Sequence, residues 1–171
     1  MQHLLTLTDA DIFESPTPFE GEWRPRRAAR AIVFNEHGEI YLLKMSARNY
    51  HKLPGGGIDE GESITQALQR ELLEEIGCPA EIGQAVGEIV EFRNEWSLHQ
   101  TSYCYLARQT GPLQPTALEE SELQDGAETI VVKNIDDAIA LLEADQPNNY
   151  DGKFIQPRDV RFLREVKVIL G

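Results

Sequence analysis

The chain has 171 residues, 41% of them hydrophobic, which suits one soluble globular domain spanning 1–171. Its formal net charge of −13 argues against broad binding to nucleic acid or to an anionic membrane, both of which call for a basic surface, and an anionic substrate would need help from a metal. No apolar run approaches the roughly 20 residues that span a bilayer, and the opening MQHLLTLTDADIF lacks a basic segment followed by a long apolar one.

Residues 1–23 carry a short apolar start and then the Pro-broken SPTPFEGEW, which predicts an arm or edge strand packed on the domain. The run RRAARAIVF, ending at Phe34, is β-prone at its end. Asn35 to Gly38 is turn chemistry and Glu39 to Met45 a second apolar strand, so a hairpin is expected. Arg24, Arg26, Arg27 and Arg30 form the one dense basic cluster of an acidic chain. Guanidinium forks suit bidentate contact with phosphate, which makes Arg26 and Arg30 candidate substrate ligands, although surface charges balancing nearby acids would look the same. A polar loop, Ser46 to His51, leads into the short strand Lys52-Leu53-Pro54. Loops there reach ligands, so Tyr50, His51 and Lys52 are candidates, Lys52 for substrate binding.

The stretch Gly55 to Cys78, GGGIDEGESITQALQRELLEEIGC, carries the chemistry. Ser63 with Gln66 is a capping box, and Gly77 with Pro79 is a stop signal, which together predict a helix over Ile64 to Ile76. At about 100° per residue, Glu71, Glu74 and Glu75 share one arc beside an apolar stripe of Leu68, Leu72 and Ile76. An isolated E-x-x-E-E is an ordinary solvated helix face. Here a Gly-rich turn precedes it and lets backbone approach a ligand, while crowded carboxylates call for a hard cation, Mg²⁺ or Mn²⁺.

Ala85 to Arg93 and Ser97 to Arg108 read as strands of a second hairpin around Asn94-Glu95, with Phe92, Trp96, Tyr103 and Tyr105 as core or base-stacking aromatics. His99 has no partner at metal-ligand spacing. Glu119 to Gly126 is expected to be an acidic loop before a strand at Thr129 to Val132. If that loop is locally extended, Glu120 and Glu122 face one way and Glu119 the other. Amphipathic helices are expected over Ile135 to Ala144 and Arg158 to Leu170, the last within 157–170, as covers for the sheet. Cys78 and Cys104 fall in segments expected to be buried, so a reducing cytoplasm is the expected location.

Gly56, Glu62, Arg70, Glu71, Leu72, Glu74, Glu75 and Gly77 match the box G-x5-E-x7-R-E-U-x-E-E-x-G-U of the Nudix hydrolases, and only Cys78 departs, at the last aliphatic position. Reduced Cys packs as a small hydrophobe, so that departure touches packing alone. The resemblance implies an α/β fold, a Nudix-like α/β/α sandwich with a mixed sheet between helices. It implies metal-dependent hydrolysis of a nucleoside diphosphate linked to another moiety, as in a nucleoside triphosphate, ADP-ribose or a nucleotide sugar, by water attack on phosphorus. Carried over by position, Glu74, Glu75 and the Gly55 carbonyl are metal ligands, and Glu71 is a ligand or the base. Arg70 orients the glutamates and Glu62 supports the site. Glu120 or Glu122 is the candidate for a further carboxylate, so Glu71, Glu120 and Glu122 all stay open as the base. The expected partner is a small-molecule nucleotide, with no nucleic acid and no membrane. Association as a homodimer is left open. Two rival readings stand beside the hydrolytic one: an isopentenyl diphosphate isomerase, which would need a cysteine before the acidic helix where this chain has none, and a non-catalytic nucleotide sensor, which would tolerate loss of box glutamates that are intact here. The proline that marks many ADP-ribose hydrolases is absent, since the corresponding region reads Glu91-Phe92-Arg93-Asn94.

Overall fold

A computed structural model describes residues 1–171. The elements run β1 (His3–Thr8), α1 (Asp9–Ile12), β2 (Arg24–Phe34), β3 (Ile40–Met45), β4 (Tyr50–Lys52), β5 (Gly55–Gly57), α2 (Ile64–Ile76) and β6 (Ala80–Arg93). After a 3-10 turn (Asn94–Trp96) come β7 (Leu98–Gln109), α3 (Glu120–Gln124), β8 (Ala127–Val132), α4 (Ile135–Ala144) and α5 (Tyr150–Leu170). One mixed sheet follows the path β1-β6-β7-β2-β3-β4, with β5 added to β2 and β8 to β3. Pairings β1–β6 and β2–β7 are parallel, the rest antiparallel.

Strand alternation sorts the core into two layers. Ile32, Ile40 and Leu42 face α4 and α5, where they meet Ala138, Leu142, Phe154, Phe162 and Leu163. Ala31, Val33, Tyr41 and Leu43 face the other way, against Leu68, Leu72 and Ile76 of α2. The sheet therefore lies between helices, as the α/β/α expectation had it.

The first hairpin is looser than expected, and that looseness makes the site. Strands β2 and β3 pair only at Phe34–Ile40 and then part. The glycine strand β5 takes over the free edge of β2, with Gly55, Gly56 and Gly57 opposite Arg30, Ala29 and Ala28. Into the fork so opened, side chains from both helical layers can reach.

Two expectations are corrected. The acidic segment is helical: Glu119 is the N-cap of α3, and the Glu122 carboxylate accepts from the Glu119 N–H at 2.9 Å, a reciprocal cap that an extended loop would not make. The last helix begins at Tyr150, before the expected Arg158, and runs through Pro157. Asn149 caps it by accepting from Gly152 N–H at 3.0 Å, and its packed apolar face outweighs the one donor that Pro157 lacks. The segment 1–23 supplies the edge strand β1 and the short α1.

Candidate active site

Helix α2 begins and ends as its sequence signals require. Ser63 Oγ accepts from Gln66 N–H, Gln66 Oε1 accepts from Ser63 N–H, and Gly77 closes the helix at φ 61°. The glycine turn ahead of it is close-packed backbone. A Cβ on Gly55, at φ +132°, would sit 2.1 Å from the Ala29 carbonyl oxygen, and one on Gly56 would sit 2.4 Å from a Glu71 oxygen. Only glycine lets β5 pass between β2 and the α2 carboxylates.

Arg70 organises the first turns of this wall. Its Nε and Nη2 donate to Glu62 at 2.8 and 2.9 Å, Nη2 also to the Gly57 carbonyl at 3.0 Å, and Nη1 to Glu71 at 2.7 Å and Glu74 at 3.3 Å. The bidentate Arg70 contact, with the Asp59 N–H, holds the Glu62 carboxyl down at about 2. Glu75 is 2% exposed and fully engaged: Oε2 accepts from Gly55 N–H at 2.6 Å and Oε1 from Lys52 Nζ at 2.9 Å. Burial pushes its carboxyl up, but Lys52, Glu122 and the Gly55 N–H outweigh that and bring it below the usual range. Glu122 completes the corner, with Lys52 Nζ at 3.8 Å; burial and the neighbouring Glu75 push its carboxyl up to about 7. Glu71 is also shifted upward, chiefly by burial against the opposing pull of Arg70.

Glu71, Glu75 and Glu122 line one cleft of about 310 Å³ together with Arg26, Arg30, Lys52, Gly55, Gly56, Gly57, Arg93 and Gln100, while Arg70 and Glu62 brace its wall from outside the lining. Of the residues singled out from sequence, Glu71, Glu75, Glu122, Arg26, Arg30 and Lys52 meet there. Glu74 is not part of the cleft lining and shares Arg70 from outside it. Glu120 faces away, accepting only from Gln124 at 3.3 Å, whereas Glu119, expected to point outward, lines the cleft because the segment is a helix. His51 is held by Asp145 at 2.9 Å, Arg27 lies over Tyr103 at 5.4 Å, and His99 stacks on Phe92 at 4.5 Å. Cys78 and Cys104 are free, buried thiols.

The floor of the cleft was not among the residues singled out from sequence, apart from Arg26 and Arg30. Glu91 and Arg93 on β6, Gln100 and Ser102 on β7, and Arg158 and Asp159 on α5 are all buried and polar. Glu91 Oε1 accepts from Arg93 and Oε2 from Gln100, both at 2.8 to 2.9 Å; Asp159 accepts from Arg158 at 2.7 Å and from Leu53 N–H at 2.8 Å. Arg26 Nη1 donates to Gln100 Oε1. The available signal was strand parity: Ile89, Glu91 and Arg93 share the buried side of β6, so charges there demand buried partners.

No three of the Asp, Glu, His or Cys side chains already converge tightly enough to hold a metal. The donor set nonetheless fits a hard divalent cation. Its carboxylates crowd one wall, two of them with carboxyls pushed upward, and one Glu75 oxygen accepts from the Lys52 ammonium, a positive charge that a cation could replace.

A wall of carboxylates faces a floor of arginines across a glycine turn, an arrangement that can accommodate a polyanion together with cations. The family comparison agrees: the model for the NUDIX domain matches residues 24–153, and the chain belongs to that family. It is similar to an RNA pyrophosphohydrolase of Wolbachia pipientis subsp. Culex pipiens, 38% identical over 78 residues. That match covers 45% of this chain and 43% of the relative, less than half its length. Among solved structures, a NUDIX hydrolase from Nitrosomonas europaea superposes with TM-score 0.63 at 16% identity, covering 85% of this chain and 90% of that one. The C. elegans Ap4A hydrolase gives 0.60 at 18% identity, covering 86% and 100%. At such identities these structures speak for the fold alone.

Proposed function

We propose that the cleft hydrolyses a pyrophosphate bond in a nucleoside diphosphate linked to another moiety, using Mg²⁺ or Mn²⁺. The observation that carries this reading is one cleft in which Glu71, Glu75 and Glu122 face Arg26, Arg30 and Lys52. Glu71, Glu74, Glu75 and the Gly55 carbonyl would hold the cation. When bound, it screens the phosphate oxygens from the carboxylates and makes nearby water more acidic.

The chain's own groups do the rest. Arg70, fixed by Glu62 and the Gly57 carbonyl, is a positioning residue that holds Glu71 at the cleft wall and Glu74 beside it. Lys52, 2.9 Å from Glu75 in the cleft lining, is placed to donate to a phosphate oxygen. Glu71 and Glu122 are the carboxylates placed to take the proton of the attacking water, while the outward side chain of Glu120 argues against that role for it. Water oxygen bonds to phosphorus, the bridging oxygen leaves with its electron pair, and the two products separate as phosphate-ended anions.

The substrate we favour is a small nucleotide. The name of the Wolbachia relative brings in a second candidate, the phosphorylated 5′ end of an RNA. A net charge of −13 would confine contact with such an RNA to its polyphosphate end. Participation of β1 and α5 in one sheet and its cover supports reading 1–171 as a single domain, and two free buried thiols suit a reducing compartment such as the cytoplasm. No helix is long and apolar enough to cross a membrane.

The test is to incubate the full chain with nucleoside triphosphates, ADP-ribose, nucleotide sugars and a 5′-triphosphorylated oligoribonucleotide, with either metal or with EDTA, and to identify products. Metal-dependent cleavage of a pyrophosphate bond is expected. Absence of product from every substrate with both metals would favour the nucleotide-sensor reading and overturn the enzymatic one.

A further inference from the structure

Arg30 is 6% exposed and lines the cleft, yet its Nε and Nη1 have no hydrogen-bond partner. An uncompensated buried guanidinium is unfavourable for folding, and the surroundings explain why it is left so. Strand parity places Arg26, Ala28 and Arg30 on one side of β2, with Gln100 and Ser102 in register beside Arg26 and Ala28 on β7. Arg93 and Arg158 add two more guanidiniums to this floor, against the buried carboxylates Glu91 and Asp159 and the half-exposed Asp151. All three carboxylates are already committed. Glu91 accepts from Arg93 and Gln100 and lies 3.5 Å from Arg158, Asp159 accepts from Arg158 and the Leu53 N–H, and Asp151 accepts from Arg93 and Trp96 Nε1. Nothing negative remains for Arg30, and Arg26 has only the neutral oxygen of Gln100.

Position narrows what anion belongs there. Arg30 is directly opposite Gly55 in the β2–β5 ladder, and the Gly55 N–H binds Glu75, so the vacant guanidinium edge adjoins the carboxylate corner. Arg26, exposed over much of its surface, stands nearer the mouth, while Arg30 lies at depth. A phosphate esterified on both sides would have to continue past Arg30, whose neighbours Arg158 and Asp159, together with Leu53 bound to Asp159, are fully buried and leave no solvent-exposed surface there. A chain end fits instead.

We propose that Arg30 binds the terminal phosphate of a triphosphate chain whose next phosphate passes Arg26, so that the cleft prefers 5′-triphosphates to diphosphates capped at both ends. The preference in turnover rests on the hydrolytic reading above; the binding does not.

The test therefore separates the two. Thermal melting of the full chain in EDTA with inorganic tripolyphosphate should raise the wild-type midpoint. Arg30→Met should melt at or above the wild-type temperature without ligand and lose that rise, and Arg30→Lys should retain part of it. If Arg30→Met does not fold, Arg26→Met provides the same reading with a smaller loss. A rise in Arg30→Met equal to wild type, or no rise in wild type, overturns the proposal. With Mg²⁺, kcat/KM for ATP should exceed that for ADP-ribose by at least about tenfold, a gap that Arg30→Met should close, as expected for loss of a charged hydrogen bond. Equal or better use of ADP-ribose by wild type also overturns it. A melting shift without hydrolysis of any nucleotide would sink the hydrolytic reading while supporting the anion subsite.

Discussion

Glu75 and Arg30 are both buried, lie next to the same glycine, and are treated oppositely by the fold. Glu75 has a partner for each oxygen, Gly55 N–H and Lys52 Nζ, whereas Arg30 has none for two of its nitrogens. The contrast extends to the regions they belong to. The carboxylate wall comes from one helix and its neighbour α3 and is cross-linked by Arg70 and Lys52. The arginine floor is drawn from β2, β6, β7 and α5, and its internal pairs use up every acid it contains. A wall with spare anionic oxygens and a floor with spare cationic nitrogens offers a place for a cation on one side and for a polyanion on the other, as the proposed function requires.

Substitutions can break this contrast from either side. Glu75→Gln removes the best-held charge of the wall, and turnover should fall by at least about a hundredfold with an unchanged circular dichroism spectrum. Wild-type turnover in the folded variant would remove Glu75 from the mechanism. On the floor, Arg158→Met leaves Glu91 and Asp159 short of their shared partner and should cost about 3–5 kcal/mol in urea unfolding, while Arg30→Met, which strands nothing, should stay within about 1 kcal/mol of wild type. Equal losses would mean that the two arginines are not differently satisfied.

Acid unfolding sharpens the same point. Burial pushes Glu91 up, but Arg93 and then Arg158 outweigh it and hold its carboxyl at about 2, against 4.5 ordinarily. The folded value is depressed, so its stabilisation is fully present above about pH 4.5 and is lost as pH falls toward 2. The urea midpoint should decline through that window in wild type and less steeply in Glu91→Gln; parallel curves would contradict the pairing. The smallest effects belong to the α3 segment. Glu122→Gln should raise the Mg²⁺ concentration needed for half-maximal rate and reduce turnover, whereas Glu120→Gln, whose side chain faces away, should change neither. Identical metal titrations of the two variants would make this segment a plain solvated surface.

How legible each region was in the sequence follows from how it is built. The wall is local: a cap at Ser63, a stop at Gly77 and glutamates at helical spacing fix its helix and its acidic arc within two dozen residues. Its finer detail was not local. Whether Glu74 or Glu122 faces the cleft depends on the tilt of α2 and on α3 being a helix, and the reciprocal Glu119–Glu122 cap was hidden in a run that reads as a featureless acidic loop. The floor was nearly invisible, because Arg30, Glu91, Gln100 and Arg158 are far apart in the chain and become neighbours only through the parallel β2–β7 register and the docking of α5. Pro157 obscured that docking further by suggesting a helix start where the helix already had turns behind it.

Whether the α2 wall holds a divalent cation is tested, without relying on turnover, by direct titration of Mn²⁺ into the nucleotide-free protein, followed by its paramagnetic resonance signal. Saturable binding is expected that weakens by at least about tenfold in Glu75→Gln, as for loss of a charged ligand, and that is unaffected by Arg30→Met. Identical Mn²⁺ isotherms for wild type and Glu75→Gln would contradict cation binding by the wall.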